Sequence, residues 1–246
     1  MKKVEIEYKW LGLIKKTYTR NCPESWKEVN PEQIIAVSRL YLDEISESDF
    51  IRRFFRIPRL VAASLDGYMV YTLIDTLDFI QDYTPRESFI IPKLPCGIPP
   101  KPALNGLRFG RFIFIDSYFS DYAQNQENET ALNKLIATLY WPGNKKFSEE
   151  LIPAQVKITA ALSPDVKQAI AINYRLVKDW LSDRYPLVFS KSVSNNENSK
   201  KDASWLKVFD SIVNDDIINS DKYADMLLHD VLRYLTRKIK ENAKRS

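Results

Sequence analysis

The sequence predicts a mainly α protein, a multi-helix body with a short N-terminal β-hairpin. Three observations carry this. Apolar residues recur at helical spacing through most of the 246 residues, and the 13 prolines sit mostly between the apolar runs. Glycine is scarce, six in all, which favours helices with proline-marked boundaries over glycine-dependent nucleotide loops. At the N-terminus Val4, Ile6 and Tyr8 alternate with Glu5 and Glu7, the period of a half-buried strand.

In chain order, residues 3–9 and 13–19 read as the two strands of the hairpin, with Leu11-Gly12 between them and Thr17-Tyr18-Thr19 again β-prone. A lone hairpin is marginal in water, so it packs on helices or pairs with another chain. After Pro23-Glu24-Ser25-Trp26, Asn30 is a good N-cap, Pro31 suits the first helical position and Gln33 completes a capping box. Ile34, Ile35, Val37, Leu40 and Tyr41 supply that helix's buried side. Ser46 caps a short helix carrying Phe50, Ile51, Phe54 and Phe55 beside Arg52, Arg53, Arg56 and Arg59, interrupted by Pro58. Asp66-Gly67 is a turn or an N-cap before a helix from Tyr68 to Ile80 with Val70, Leu73, Ile74 and Leu77. Phe89-Ile90-Ile91 is a short extended piece. Residues 92–102 form a proline-rich connector, expected to run extended over the surface, and mark the best internal boundary.

Residues 104–143 predict a helical hairpin that forms the core. Phe109, Phe112, Ile113, Phe119 and Ala123 fall on one side of its first helix, and only a narrow polar strip remains around Gly110, Ser117 and Asp121. A helix this apolar is buried centrally or covered by a partner. The polar run 124–129 makes the turn. A second helix follows with Leu132, Leu135, Ile136 and Leu139, stopped by Trp141-Pro142-Gly143. Beyond it, Ser148 or Pro153 opens a helix to Leu162, and Ser163-Pro164-Asp165 starts a long one that runs to Tyr185-Pro186. Residues 190–203 are almost devoid of apolar content and read as a flexible linker. A loosely tethered helical tail then carries Trp205, Val208, Phe209 and Ile212. An Asp221-capped helix follows with Leu227, Leu228, Val231, Leu232 and Leu235 and a basic end at Arg237, Lys238, Lys240, Lys244 and Arg245. The domain organisation is thus a hairpin at 1–22, a helical body at 23–189, the linker at 190–203 and a tail at 204–246.

The net charge of +4, from 36 basic and 32 acidic residues, is too balanced for the concentrated basic footprint of a nucleic-acid binder. No run approaches the roughly 20 apolar residues needed to span a bilayer. The charged, β-like start is neither a secretory signal nor a transit peptide. These features predict a protein of the cytosol, or of a particle assembled there. Cys22 and Cys96 are far apart, lack metal or redox spacing and read as unpaired thiols. The lone histidine, His229, excludes a His-based metal cluster, and it reads as a surface or interface residue. No P-loop, dinucleotide fingerprint, nucleophile elbow or metal-ligand cluster is present, so no catalytic, cofactor-binding or metal residue is assigned.

Asp116 falls in the middle of the apolar side. It is either a carboxylate of raised pKa available for acid–base chemistry or, more simply, a hydrogen-bonded pin of the packing, because no second carboxylate sits at helical spacing beside it. With Trp26, Phe109 and Phe112 it is taken as structural. The arginines of 52–59 beside Phe54-Phe55 invite a phosphate or base-stacking reading, against the plainer one of a solvated helix face. The aromatic load of 12% predicts that some rings meet a partner, and the residues chosen for partner binding are Tyr118, Tyr122, Trp141, Arg52 and Arg53.

Several stretches, in order, resemble the tail assembly chaperone-like proteins of tailed bacteriophages and prophages: CPESWKEVNPEQ at 22–33, LNGLRFGRFIFIDSYFSDY at 104–122, LNKLIATLYWPG at 132–143 and, more loosely, Trp205 with HDVLRYL at 229–235. The resemblance implies a non-enzymatic role without cofactor: binding a long helical tape-measure or other virion protein in the host cytoplasm while the tail forms. The N-terminal hairpin and the length depart from a simple chaperone. They leave room for a structural virion component, a connector or ring subunit, and for a homo-oligomer. An enzyme or nucleic-acid-binding module using Asp116 or the 52–59 arginines is the third reading.

Overall fold

The computed structural model describes residues 1–10, 14–143, 145–189, 205–214 and 216–244. The expected hairpin turn at Leu11-Gly12, the linker at 190–203 and Arg245 lie outside them. Helices dominate, as expected: 60% of the described residues are helical, and among them there is one two-stranded antiparallel sheet. The strands are β1 (Lys2–Trp10) and β2 (Ile14–Cys22), and the helices in the first part of the chain are α1 (Pro31–Tyr41), α2 (Glu47–Phe54), α3 (Arg59–Ala62) and α4 (Gly67–Asp75). They are followed by α5 (Phe109–Gln124), α6 (Glu129–Leu139), α7 (Ile152–Ala160), α8 (Pro164–Arg184), α9 (Trp205–Val213), α10 (Ser220–Ala224) and α11 (Leu228–Ala243). No described helix is long and apolar enough to cross a membrane.

The chain forms two compact units, one of Met1–Arg86 with Ser163–Asp179, the other of Glu87–Leu162 with Trp180–Ser246. These cut across the ranges read from the sequence.

In the first unit, β1 and β2 pair with Lys2 opposite Cys22 and Trp10 opposite Ile14. Val4, Ile6 and Cys22 are buried, while most of β2 is exposed. The caps are where local chemistry puts them. Asn30 Oδ1 accepts from the N–H groups of Glu32 and Gln33 at 3.1 Å, and the Gln33 side chain accepts from the Asn30 N–H, closing the capping box. Ser46 caps α2 and Asp66 caps α4. The long helix expected over 68–80 stops at Asp75 and resumes as a 3-10 turn at Asp78–Ile80. Trp26 is fully buried, edge-on to Phe79 at 5.9 Å and stacked on Tyr83 at 6.4 Å. The buried face of α1 is Gln33, Ile34, Ala36, Val37 and Ser38, whereas Ile35 and Leu40 are half-buried and Tyr41 is 49% exposed. The apolar stripe read from the sequence is therefore rotated, because small residues make the closest packing.

In the second unit the 104–143 hairpin supplies the core, with α6 rather than α5 at its centre. α6 buries Ala131, Leu132, Asn133 and the whole run from Leu135 to Leu139, packed on α5 and α7. Ala123, expected inside, is exposed. Gly110, expected on a polar strip, is instead a point of close approach: a Cβ there would lie 3.0 Å from Ala224 Cβ of α10. The connector 92–102 is not a plain surface strap. Leu94 and Cys96 are buried, and Ile98 exchanges backbone hydrogen bonds with Trp141. Gly97, at φ +150°, lets the two chains meet, since its Cβ would fall 2.3 Å from the Trp141 carbonyl carbon.

Both expected starts beyond the hairpin are used, Ser148 before a 3-10 turn and Pro153 inside α7. The single helix expected after Asp221 is two. Phe109 N–H bonds Met226 O and Leu228 N–H bonds Leu107 O, each at 2.9 Å, and this short ladder breaks the helix between α10 and α11. The tail is not loosely held either. Trp205 packs its ring 6.0 Å from Phe109 and 5.1 Å from Phe112, and Phe209 lies 6.3 Å from Phe109.

Candidate functional site: an arginine-lined cleft

Helices α1 and α2 end in the same way. At the end of α1, Glu44 N–H reaches Arg39 O at 2.9 Å and Asp43 N–H reaches Leu40 O at 3.1 Å, with Asp43 at φ +54°. At the end of α2, Ile57 N–H reaches Arg52 O at 2.9 Å and Arg56 N–H reaches Arg53 O at 3.2 Å, with Arg56 at φ +52°. Both are Schellman stops, in which the left-handed position normally belongs to glycine. α2 therefore ends at its own stop, upstream of Pro58, which instead precedes α3. Arginine in the left-handed region costs about 1–2 kcal/mol relative to the right-handed one.

These two ends bring four arginines around one cleft of about 480 Å³. Glu32, Ile35, Ala36 and Arg39 line it from α1, and Arg52, Arg53, Arg56 and Ile57 from α2 and its stop. Each arginine meets a carboxylate: Arg39 Nε donates to Asp165 Oδ2 at 2.6 Å, Arg52 Nε donates to Asp49 Oδ1 at 2.9 Å, Arg53 lies 3.8 Å from Asp49 and Arg56 lies 2.8 Å from Glu32. The Arg52 hydrogen bond holds the Asp49 carboxyl below its ordinary pKa. For Asp165, burial pushes upward, but hydrogen bonds from Ser163, Arg39 and the Val166 N–H outweigh it and leave the carboxyl below the usual range.

The hydrogen bonds of Arg39 and Arg52 run through Nε. Among the described residues, their terminal nitrogens carry none. A guanidinium offers a fixed fork of donors, so the cleft can hold and orient carboxylates or carbonyls. Its floor, Ile35, Ala36 and Ile57, is apolar.

The structure thus joins Arg52 and Arg53, both expected to meet a partner, to Arg39, Arg56 and Glu32. Spacing along one helix cannot show that α1 packs beside α2. The visible hint was that each helix carries arginine in its last turn.

The three aromatics expected to meet a partner fare differently. Tyr118 is half-buried, with Phe114 at 6.2 Å and Lys134 over its ring at 5.5 Å. Tyr122 and Trp141 are buried, at 6% and 3% exposure, and Trp141 Nε1 donates to Lys145 O. Their burial makes them packing residues, because the apolar ring area that suits an interface suits a core equally. Asp116, Phe109 and Phe112 are buried as expected, and Asp116 accepts the Trp205 indole N–H at 2.8 Å, so it pins α9 to α5. His229 Nε2 donates to Ala103 O at 2.6 Å, because a carbonyl oxygen can only accept, and its Nδ1 lies 2.8 Å from the Tyr185 hydroxyl. Ala103 and Leu104 both have positive φ, and the histidine ties down this turn.

Comparison of the chain with protein-family models, with curated proteins and with solved structures finds no match in any of the three.

Proposed function

We propose that this protein is a non-catalytic binding protein of tailed-phage assembly, holding another virion protein of the tape-measure type in the host cytoplasm while the tail is built. The observation that carries it is the α1–α2 cleft, which sets open guanidinium donors over an apolar floor. Such a surface recognises side chains without transforming them. The tail context comes from the order-preserving resemblance at 22–33, 104–122, 132–143 and 205–235. Nucleic acid is disfavoured as the partner because each cleft arginine already faces a carboxylate, and polyanion binding depends on net positive charge.

The test is quantitative mass spectrometry of purified particles beside the lysate that made them. Abundance in lysate with absence from particles is expected of an assembly factor. A fixed copy number in particles would overturn that role in favour of a connector or ring subunit. One observation favours this second reading: β2 is exposed along most of its length, and neither outer edge of the two-stranded sheet is paired among the described residues. Such edges are natural templates for another chain.

A further inference from the structure

We infer that the outward face of α11 is a nucleic-acid contact, a stripe of cations that holds a phosphate backbone without reading bases. It is built from residues of the second unit alone and does not rest on the partner proposed above. The net charge of the chain is small in total but uneven in place. Residues 233–244 carry five basic side chains against one acidic, a net +4 that equals the charge of all 246 residues. At 100° per residue, Arg233, Arg237, Lys240 and Lys244 fall within an arc of about 60° and along about 16 Å of helix axis. The opposite side of α11 carries Leu228, Val231 and Leu232, all buried, with half-buried Leu235 in line. That side anchors the helix, so the stripe faces outward. Arg233 and Arg237 keep 67% and 69% of their side-chain surface, and Lys240 and Lys244 are exposed.

Two of these cations have partners. Arg233 meets Asp230, and Arg237 lies 3.9 Å from Glu241, both exposed pairs of the kind that contributes little. Lys240 and Lys244 meet no carboxylate among the described residues, so the carboxylates that disfavour nucleic acid at the cleft have no counterpart there. At the base of the stripe, Arg184 ends α8, likewise without a described carboxylate, and lines one hollow with Arg233. Glu87 and Asp230 share that hollow, which makes the lysine end the more positive. Chemistry then selects the occupant. A lipid surface takes up the apolar side of an amphipathic helix, and here that side is already held by the unit. A protein interface centres on apolar and aromatic groups and is depleted in lysine, whereas no apolar residue lies within the arc. A phosphate backbone asks only for closely spaced cations. Neither Asn nor Gln lies in the arc either, so the contact is to phosphates in any sequence.

The experiment measures binding of the full chain to a labelled DNA duplex of mixed sequence by fluorescence anisotropy. Polyglutamate and vesicles of phosphatidylserine and phosphatidylcholine in equal parts are the competing probes. Duplex binding is expected with a dissociation constant on the order of 10⁻⁵ M at about 0.1 M salt, weakening with salt at a log–log slope of about −3 to −4. Lys240→Gln with Lys244→Gln changes two exposed side chains and keeps the fold. It is expected to weaken duplex binding about tenfold or more and to bring the slope about 2 nearer to zero. Lys3→Gln with Lys15→Gln removes the same charge from exposed positions of the hairpin and is expected to change neither quantity appreciably. No duplex binding at about 10⁻⁴ M protein, or equal weakening by the two double variants, overturns the inference. Polyglutamate bound more tightly than the duplex overturns it in favour of an acidic protein, and vesicles bound more tightly overturn it in favour of a membrane. These outcomes are independent of particle composition, so the stripe and the assembly role stand or fall separately.

Discussion

Arg111 in one unit, seated in the first turn of α5 with its side chain at the C-terminal end of α6, and Arg52, Arg53 and Arg56 in the other, seated at the C-terminal end of α2, are used in opposite ways. Arg111 is folded in among apolar groups. Its Nε donates to Thr138 O at 2.9 Å and a terminal nitrogen donates to Leu139 O at 3.1 Å, so it satisfies the end of α6, while the rings of Trp141 and Phe147 lie 5.9 and 5.8 Å from its carbon centre. Burial pushes its pKa down to about 10, which still leaves it charged at neutral pH. The cleft arginines of α2 keep 24–60% of their side-chain surface. The difference teaches that an arginine's role is set by where its remaining N–H groups point, inward to orphan carbonyls or outward to whatever arrives.

The comparison breaks most directly at Arg111. Arg111→Ala removes a cap from α6 and leaves buried carbonyls short of donors, so a loss of about 2–4 kcal/mol is expected in denaturant titration. A loss under about 1 kcal/mol would place Arg111 with the dispensable surface arginines.

The two buried thiols sharpen the comparison, since Cys22 lies in one unit and Cys96 in the other. Burial pushes each from 9.0 up to about 11. The folded values lie above the unfolded ones, so the folded chain holds more protons in between. The stability this confers is complete below pH 9 and is lost as pH rises through 11, by about 2–3 kcal/mol per thiol. Comparing pH titrations of the protein with those of Cys22→Ala and Cys96→Ala isolates each contribution, and a slope unchanged by both substitutions would contradict it. Labelling rates of the two thiols in rising denaturant then tell whether the units open together.

Trp205→Phe keeps the aromatic contacts with Phe109 and Phe112 but removes the donor to Asp116, with an expected cost of about 1–2 kcal/mol. Limited proteolysis near residue 205 should accelerate accordingly. The smallest effect has the opposite sign: Arg56→Gly relieves a left-handed arginine and forfeits an exposed ion pair with Glu32, for a net gain of about 0.5–1 kcal/mol. Destabilisation by Arg56→Gly would mean that the pair with Glu32 outweighs the backbone strain, and the two classes of arginine would draw together.

Much of the fold was legible because its signals are local. The capping box at Asn30, the caps at Ser46 and Asp66, proline at the first position of α1 and α8, and the alternation in β1 each act within a few residues, and the structure contains all of them. Part of the candidate site was legible too: the basic last turn of α2 named Arg52 and Arg53. Arg39 and Glu32 were not, since nothing within α2 says which helix lies beside it.

What the tertiary structure alone decided are the outcomes of long-range competition. Met226 and Leu228 give up helical continuity because backbone groups at Leu107 and Phe109 offer hydrogen bonds in exchange. Tyr122 and Trp141 go inward although rings of the same kind serve at interfaces, and Ile35 stays half-buried in the lining of a cleft although its periodicity reads as core. Periodicity states that a side chain is apolar on a given face. Only the position of the neighbouring element determines whether that face is covered, because burial is a property of two surfaces and the sequence writes each of them separately.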